Sequence, residues 1–295
     1  MSAPPRISVV LIVRDGERFL AEAIESVRAQ AFEGWELLAV DDGSTDGTAA
    51  ILARHAEALG DRMRVLRHPG GVNRGMSASR NLGIRESRGA YVTFLDHDDV
   101  IRPGKLARHV AALDAHPDAA TVIGPNLRWY SWADPAREDE VQVLGVPAAG
   151  TLPPPGPLPA FLARTRAVPL GLTVRRGVLE EVGGFDEAFA GMYEDQVLQT
   201  KLYLRHPVHV VPEVQHWYRQ HPDSCIRRTF GAGAQGLARR RFLRWLDEHL
   251  RAHAPGEHAL RALARRELAR TRLARLHWLG RQARLGLVRL ARGPA

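Results

Sequence analysis

Short apolar runs that alternate with helix-periodic segments are the feature that most restricts the fold of this chain. Residues 7–13 read ISVVLIV, a run typical of a strand that a parallel sheet buries on both faces. Residues 18–30 follow with apolar side chains at helical spacing. The pattern predicts further strands at 37–40, 63–66 and 91–95, and helices at 48–58 and 77–86. This order predicts an α/β fold with a Rossmann-like, mostly parallel sheet flanked by helices.

Two of the predicted strands stop at acidic clusters. Asp41 and Asp42 follow the second strand, and Asp96, Asp98 and Asp99 follow the fourth in the segment DHDD. Ligands of such sheets bind beyond the carboxyl ends of the strands, so both clusters are expected at one rim. Three carboxylates within four residues repel one another, and their oxygens suit Mg²⁺ or Mn²⁺ bridging a diphosphate. A turn with a helix cap is the alternative interpretation of the first cluster.

Charge is distributed unevenly along the 295 residues. The formal net charge is +8, but residues 236–295 alone hold 15 arginines against 4 acidic residues, a net of +11, which leaves −3 for residues 1–235. Because the excess is confined to the tail and no zinc-finger or RNP pattern is present, nucleic-acid binding is disfavoured. Only Lys105 and Lys201 are lysines, and one cysteine, Cys225, cannot form an internal disulfide.

The tail is predicted to be a basic amphipathic helical extension. Helical spacing runs from 237 to 290 with a break at Pro255-Gly256, and leucines alternate with arginines at Leu260, Leu263, Leu268, Leu273, Leu276 and Leu279. Such a helix either lies on an anionic membrane surface or packs as a hairpin on the rest of the protein. No apolar run reaches the roughly 18 to 20 residues of a membrane-spanning helix, and residues 1–5 do not resemble a signal peptide. We therefore expect a cytoplasmic protein, with peripheral contact at the inner face of the membrane as the first tail alternative.

A proline- and glycine-rich segment, residues 147–159 (PAAGTLPPPGPLP), is predicted to be a loop without regular structure. Beyond it, the pattern predicts short helices at 178–182 and 196–204 and a strand at 208–211. The resulting domain prediction is a catalytic domain at 1–235, with a nucleotide-binding half at 1–125 and an acceptor half at 126–235. The helical tail then occupies 236–295.

Several dispersed motifs resemble one known family. They are ISVVLIVRDGERFLAEAIESVRAQ, WELLAVDDGSTDGT, NRGMSASRNLGI, GAYVTFLDHDDVIRPGKL, GGFDEAF and YEDQVLQTKL, in this order over roughly residues 6–225. The chain is similar to the family 2 glycosyltransferases of the GT-A fold, an inverting group that includes bacterial polysaccharide and lipopolysaccharide sugar transferases. The resemblance implies a nucleotide-sugar donor.

The resemblance also implies which residues bind that donor. Asp42 looks like the carboxylate that accepts a hydrogen bond from the nucleotide base, with Asp41 beside it. Arg80 lies in SASRN, a segment that faces the donor in the family, where its charge would offset that of the phosphates. Arg14-Asp15 departs from the aromatic-Asn pair common in the family, so a guanidinium is expected to wall the base pocket.

Catalytic and metal-binding roles follow from the same resemblance. Asp96 and Asp98 match the DxD motif, in which one carboxylate holds the ribose side and the other holds the metal, with Asp99 as an adjacent helper. Asp195 of the Glu194-Asp195 pair resembles the general base that deprotonates the acceptor hydroxyl. Such a base and a metal-bound diphosphate are what a single inverting displacement requires.

Other residues have two open interpretations each. His221 lies in a YRxH element and either reaches the metal or diphosphate, or is a surface or packing residue. Trp129, Tyr130 and Trp132 are either a stacking platform for an acceptor sugar, or serve in core packing or as a loop anchor. Cys225 is expected to be an unreactive thiol.

The sequence therefore predicts a metal-dependent inverting glycosyltransferase that uses a nucleotide sugar, with UDP as the expected nucleotide. The acceptor is a hydroxyl of a glycan, a lipid-linked or a small molecule. A nucleotidyltransferase is disfavoured because residues 13–17 (VRDGE) are not a glycine-rich phosphate loop. A non-catalytic scaffold, or a protein that binds nucleic acid or membrane through its arginine-rich tail, is the alternative function.

Overall fold

The computed structural model describes residues 4–163, 171–224 and 235–271. The apolar runs singled out above form its first strands. β1 (Ile7–Val13) and β2 (Trp35–Asp41) are buried along their whole length, and β4 (Tyr91–Asp96) is buried up to its last residue. β3 (Met63–Arg67) is only partly buried because it lies at the edge of the sheet. The four strands pair in parallel in the order β3-β2-β1-β4, which confirms the predicted sheet.

Helices cover both faces of this sheet. They are α1 (Leu20–Arg28), α2 (Thr48–Leu59), α3 (Met76–Glu86), α4 (Lys105–Ala115), α5 (Leu158–Leu162), α6 (Arg176–Glu181) and α7 (Glu194–Tyr203). Successive side chains of a strand point to opposite faces, so Val9 and Leu11 join the core cluster shared with α1 and α4. Val10 and Ile12 join the cluster shared with α3, α6 and α7. A Cβ on Gly83 of α3 would lie 2.3 Å from Val10 Cγ1, so glycine is what lets this helix approach β1 closely.

Eight shorter strands complete two sheets. They are β5 (Val100–Ile101), β6 (Thr121–Ile123), β7 (Asn126–Trp129), β8 (Glu140–Gln142), β9 (Gly150–Leu152), β10 (Thr173–Arg175), β11 (Val208–Val210) and β12 (His216–Arg219). Among the described residues, the large sheet has the order β3-β2-β1-β4-β10-β6-β11-β9, and the small sheet has the order β5-β12-β7-β8. β10 runs antiparallel to both of its neighbours, β4 and β6.

The prediction that residues 147–159 lack regular structure is wrong in part. This segment contains β9, which pairs with β11 at the edge of the large sheet, and the start of α5. An edge strand needs hydrogen-bond partners on one side only, so it tolerates proline-rich flanks. Pro159 lies in the first turn of α5, where a backbone N–H would have no helical partner.

The chain divides into two compact units, Met1–Ser224 and Cys225–Ala295. In the second, α8 (Gln235–His253) is followed by a helix at 258–271 that we name α9, with the predicted break at Pro255-Gly256 between them. Arg239 of α8 and Glu267 of α9 form a buried ion pair at 3.2 Å. Cys225 and the predicted leucine positions 273, 276 and 279 lie outside the described residues. Within the described ranges, no helix combines the length and apolar character needed to cross a bilayer.

Candidate active site

The acidic clusters meet at the carboxyl end of the parallel strands. In the register of the sheet, β1 lies between β2 and β4, with Val13 opposite Asp41 and Ile12 opposite Asp96. Asp41 and Asp96 therefore lie two strand spacings apart, roughly 10 Å. Both acidic clusters therefore lie at one rim of the sheet, as predicted.

Asp42 organises the segment before α3. Its Oδ1 accepts from the backbone N–H of Arg74 at 2.7 Å, and its Oδ2 accepts from the N–H of Gly75 at 2.9 Å and from Asn73 Nδ2 at 3.0 Å. Gly75 has a positive φ of 87° and directly precedes α3. The carboxylate thus fixes the turn that leads into the helix carrying Arg80.

Asp41 and Arg14 lie on the same side of the rim as Asp42. Asp41 accepts from the N–H of Ser44 at 3.0 Å and from Arg67 Nε at 3.1 Å. Arg14 is exposed and its Nε lies 3.7 Å from Asp15 Oδ2. Asp15, with a φ of 50°, accepts from the backbone N–H of Thr45 at 2.8 Å and so connects the ends of β1 and β2.

Asp96, Asp98 and Asp99 form a tight carboxylate cluster. One oxygen of each lies within 4.8 Å of an oxygen of the other two. Asp96 is about one-third exposed and Asp98 largely covered, whereas Asp99 is buried. The three side chains therefore lead from the surface of the rim into the protein.

Each carboxylate of the cluster has a partner from a distant element. Asp96 Oδ1 accepts from Arg80 at 2.7 Å, and Asp98 Oδ2 lies 2.9 Å from His221 Nε2. Asp99 Oδ2 lies 2.9 Å from His216 Nε2, and its Oδ1 accepts from the backbone N–H of Arg219, also at 2.9 Å. These contacts hold the cluster in place from three directions.

The two inner carboxylates differ in their electrostatics. Burial and the charges of Asp98 and Asp96 raise the pKa of Asp99 well above its ordinary range. Burial acts in the same sense on Asp98, but the hydrogen bond from His221 and the charges of His97 and His221 outweigh it, and the pKa of Asp98 lies below its ordinary value. Asp98 is therefore the better anion of the two at neutral pH.

Arg80 connects the cluster to the Glu194-Asp195 pair. One terminal nitrogen donates to Asp96 and the other donates to Glu194 Oε1 at 2.9 Å. Burial opposes its charge, yet the two carboxylates outweigh burial and keep the pKa of Arg80 above its ordinary value. The expectation that Arg80 faces the donor phosphates remains a prediction, because in the structure both ends of the guanidinium bind carboxylates.

Glu194 and Asp195 occupy the first turn of α7. The preceding Tyr193 has a φ of 75°, a conformation that is strained for an aromatic residue and that recurs at functional sites. Burial and the charge of Asp195 raise the pKa of Glu194 to about 8, against the attraction of Arg80. Burial also raises the pKa of Asp195, whose Oδ1 accepts from the N–H of Gln196 at 2.7 Å. A raised pKa makes a carboxylate a stronger base.

Arg219 of the YRxH element joins the cluster to α1. Its Nε donates to the carbonyl of Asp98 at 2.8 Å and a terminal nitrogen donates to Glu22 at 2.5 Å. The guanidinium lies over the rings of Trp129 at 4.4 Å and Trp132 at 4.9 Å. The two tryptophans thus pack on a buried arginine, while their use as an acceptor platform stays a prediction. No sequence pattern assigns a role to Arg219, because its partner Glu22 lies 197 residues away in the chain.

The donor atoms of the cluster fit a divalent cation. Among the described residues, none donates a hydrogen bond to Asp96 Oδ2 or to Asp98 Oδ1. Two carboxylate oxygens at the outer end of the cluster are hard ligands of the kind that Mg²⁺ and Mn²⁺ prefer. Asp99, with both oxygens bonded to protein groups, would support these ligands rather than bind the ion itself.

The large central sheet flanked by helices is an α/β fold of the GT-A class. Residues 8–141 match the sequence profile described as Glycosyl transferase family 2. An O-antigen biosynthesis protein of Myxococcus xanthus is 32% identical over 253 residues, which are 85% of this chain and 18% of that protein. By the profile match, residues 8–141 of the chain belong to the family 2 glycosyltransferases. The chain as a whole spans about half, or less, of the length of such curated relatives.

Two solved structures share the fold. The S. aureus protein TarS (residues 1–349) in complex with UDP-GlcNAc has a TM-score of 0.62 and 19% identity, over 83% of this chain and 72% of that one. A mannosyltransferase from Pyrobaculum calidifontis in complex with GDP-Man and Mn²⁺ has a TM-score of 0.59 and 19% identity, over 97% of this chain and 81% of that one. At this level of identity the likeness concerns the fold.

Proposed function

We propose that this protein is a metal-dependent, inverting glycosyltransferase that moves a sugar from a nucleotide sugar to a hydroxyl group of an acceptor. One observation carries the proposal: Arg80 joins Asp96 of the carboxylate cluster to Glu194, the neighbour of Asp195, at the carboxyl edge of the sheet. A site for the donor diphosphate and a candidate base are thereby held together at one rim.

The donor side of the reaction needs a place for the leaving nucleoside diphosphate. Asp98 and Asp96 would hold Mn²⁺ or Mg²⁺, which supplies positive charge to the diphosphate as it leaves. Asp41, Asp42 and Arg14 lie at the neighbouring strand ends and are proposed to line the base and ribose side. The proposed donor is a UDP-sugar, and the UDP-GlcNAc complex of TarS supports it, whereas the GDP-Man complex of the mannosyltransferase supports a GDP-sugar.

The acceptor side needs a base on the face of the sugar opposite the diphosphate. Asp195 is proposed to take the proton of the acceptor hydroxyl while that oxygen attacks the anomeric carbon, so a single displacement inverts the configuration. Its raised pKa suits this role. Glu194 holds Arg80 beside it, and Arg80 in turn orients Asp96.

The acceptor is proposed to be a glycan, a lipid-linked saccharide or a small molecule. Residues 1–125 are proposed to bind the donor and residues 126–235 the acceptor, since the second range supplies Asp195 and the tryptophans near Arg219. The O-antigen relative supports a cell-envelope polysaccharide as the product.

Peripheral contact with the inner face of the membrane is the proposed role of the tail. Residues 235–271 hold nine arginines and four acidic residues, and Asp247 and Glu267 are paired within the unit. Vesicles with and without anionic lipid, sedimented with the full chain, test the contact. We expect binding to anionic vesicles that weakens with salt and with Arg244→Gln/Arg266→Gln, two exposed positions. Equal recovery with neutral vesicles would reject the electrostatic contact.

The function is tested by calorimetric titration of the protein with UDP, GDP and dTDP, each with and without Mn²⁺. We expect one nucleotide to bind only with the metal, and Asp98→Ala to abolish that binding. Asp118→Ala is the matched control because Asp118 is an exposed aspartate remote in sequence from the cluster. If no nucleoside diphosphate binds under any metal condition, the protein is not a transferase of this kind, and the scaffold or tail-driven functions replace it.

A further inference from the structure

A buried lysine lies behind the carboxylate cluster. Lys105, the first residue of α4, is fully buried, and its Nζ has no hydrogen-bond partner among the residues that the structure describes. An ammonium group in this position is costly unless nearby negative charge compensates it. The function described above does not use this residue.

The lysine and His216 meet at Gly171. From the point where a Cβ of Gly171 would lie, Lys105 Nζ is 2.5 Å away, His216 Nδ1 2.7 Å and the carbonyl oxygen of Phe94 3.1 Å. The two nitrogens are therefore separated by no more than the sum of the first two distances. Gly171 has a φ of 56°, and the space left by its missing side chain is what the lysine and histidine share.

His216 continues this line to the cluster. Its Nε2 lies 2.9 Å from Asp99 Oδ2, while its Nδ1 faces the lysine and is itself without a partner among the described residues. Burial and the charge of Lys105 hold the pKa of His216 well below its ordinary value. Burial lowers the pKa of Lys105 to about 7, and Asp99 is the acidic group that opposes this.

We propose that Lys105 is a positioning residue for the metal site: its buried amino group, acting through His216, holds Asp99 and keeps the loop of residues 96–99 in its binding geometry. Asp96 is paired with Arg80, and Asp98 is in contact with His221. Asp99 has no such contact with an arginine or lysine side chain among the described residues, although the charge of Arg219 favours its anionic form, and Lys105 adds positive charge from inside. Removing Lys105 leaves the innermost of three mutually repelling carboxylates with less compensation.

This inference rests on the proposed function, and the chain offers an unusually direct probe. Lys105 and Lys201 are its only lysines, so protein labelled at lysine Cε gives two side-chain resonances. Lys201 lies on α7, donates to the carbonyl of Gly184 and belongs to a different part of the fold. We expect Mg²⁺ with UDP to shift the Lys105 resonance and leave the Lys201 resonance in place, with the assignment made from Lys201→Met. A Lys105 resonance unmoved at saturating metal and nucleotide would overturn the proposal, whether or not the variants fold.

The second measurement is Mn²⁺ affinity in the presence of UDP for Lys105→Met and for the matched control Lys201→Met. We expect about a 10- to 100-fold loss for Lys105→Met, the range for partners that orient metal ligands, and no loss for the control. An affinity that is unchanged or tighter in Lys105→Met rejects the positioning role while the transferase proposal stands. Absence of metal and nucleotide binding in the unmodified protein instead rejects the proposed function, and this inference with it.

Discussion

His221 and Asp98 lie in contact across 2.9 Å although 123 residues separate them in the chain. Arg80 with Asp96 and His216 with Asp99 repeat this arrangement from other elements. Carboxylates that are held by independent partners keep their geometry in the absence of a ligand, because each repulsion is offset locally. The carboxylate cluster is therefore held in place by contacts with other parts of the fold.

Arg80 is expected to be the most sensitive residue of the site for stability. Replacing it by methionine leaves Asp96 and the buried Glu194 without their shared cation, and removal of one partner from a buried pair costs about 3–5 kcal/mol. Urea unfolding of Arg80→Met and Arg80→Lys measures the loss. We expect Arg80→Lys to recover only part of it, since one ammonium cannot span both carboxylates. Equal stability of all three proteins would contradict the bridging role.

Glu194 is expected to make the free energy of unfolding depend on pH at values above the ordinary pKa of a glutamate. In the folded protein its pKa is about 8, whereas an unfolded chain releases the proton near the ordinary value of 4.5. Between these values unfolding releases a proton, so this contribution to stability falls as pH rises. Thermal unfolding from pH 5 to 9 should show a smaller fall for Glu194→Gln, which cannot titrate. A parallel pH profile for the two proteins would show that Glu194 is already ionised at pH 5.

Gly171 is expected to tolerate no side chain. A Cβ there would lie within 2.7 Å of Lys105 Nζ and of His216 Nδ1, at a φ that L-residues rarely adopt. Gly171→Ala should therefore lower the melting temperature and weaken Mn²⁺ binding together. Gly177→Ala is the matched control, since nothing lies within 4 Å of its added methyl group and alanine favours the helix α6. Calorimetry of both variants tests this prediction. Equal losses in the two variants would show that the effect does not come from crowding at Gly171.

Asp42 is expected to act on nucleotide binding through the turn it holds. Asp42→Ala removes the acceptor for the N–H groups of Arg74 and Gly75, and a donor left without a partner costs about 1–3 kcal/mol when buried. We expect the nucleotide affinity to fall while binding of Mn²⁺ alone, measured by electron paramagnetic resonance, is unchanged. If Asp42→Ala loses nucleotide binding and Mn²⁺ binding together, the turn and the carboxylate cluster form one cooperative unit.

The long elements could be predicted from sequence because their signal is local. ISVVLIV and YVTFL are apolar except for Ser8 and Thr93, one in each run, and β1 and β4 appear at these positions with at most one extra residue. Of the strands of two to four residues, only β11 was predicted, as a strand at 208–211, whereas the others, such as β5 and β10, were not. Their hydrogen-bond partners lie far away in the chain, as with Thr173 opposite Thr93, and two or three residues carry no periodicity.

The acidic residues of the site could be predicted in the same way, but the residues that hold them in place could not. Carboxylates at strand ends are visible in sequence because the topology of parallel sheets brings such ends together. The contacts of Arg219, His216 and Lys105 depend on how β12 and α4 pack, which no local pattern states. The scarcity of lysine in an arginine-rich chain was visible, but it did not indicate that one of the two is fully buried.

β10 lies between β4 and β6 and runs against both, so the middle of the large sheet is filled by residues 173–175. As the chain leaves the ribosome, β4 exposes an unpaired edge until this short strand has been made. A nascent polypeptide that ends earlier presents that edge to other chains and cannot close the core beneath it. Synthesis past Arg175 is therefore needed before β4 can pair along this edge.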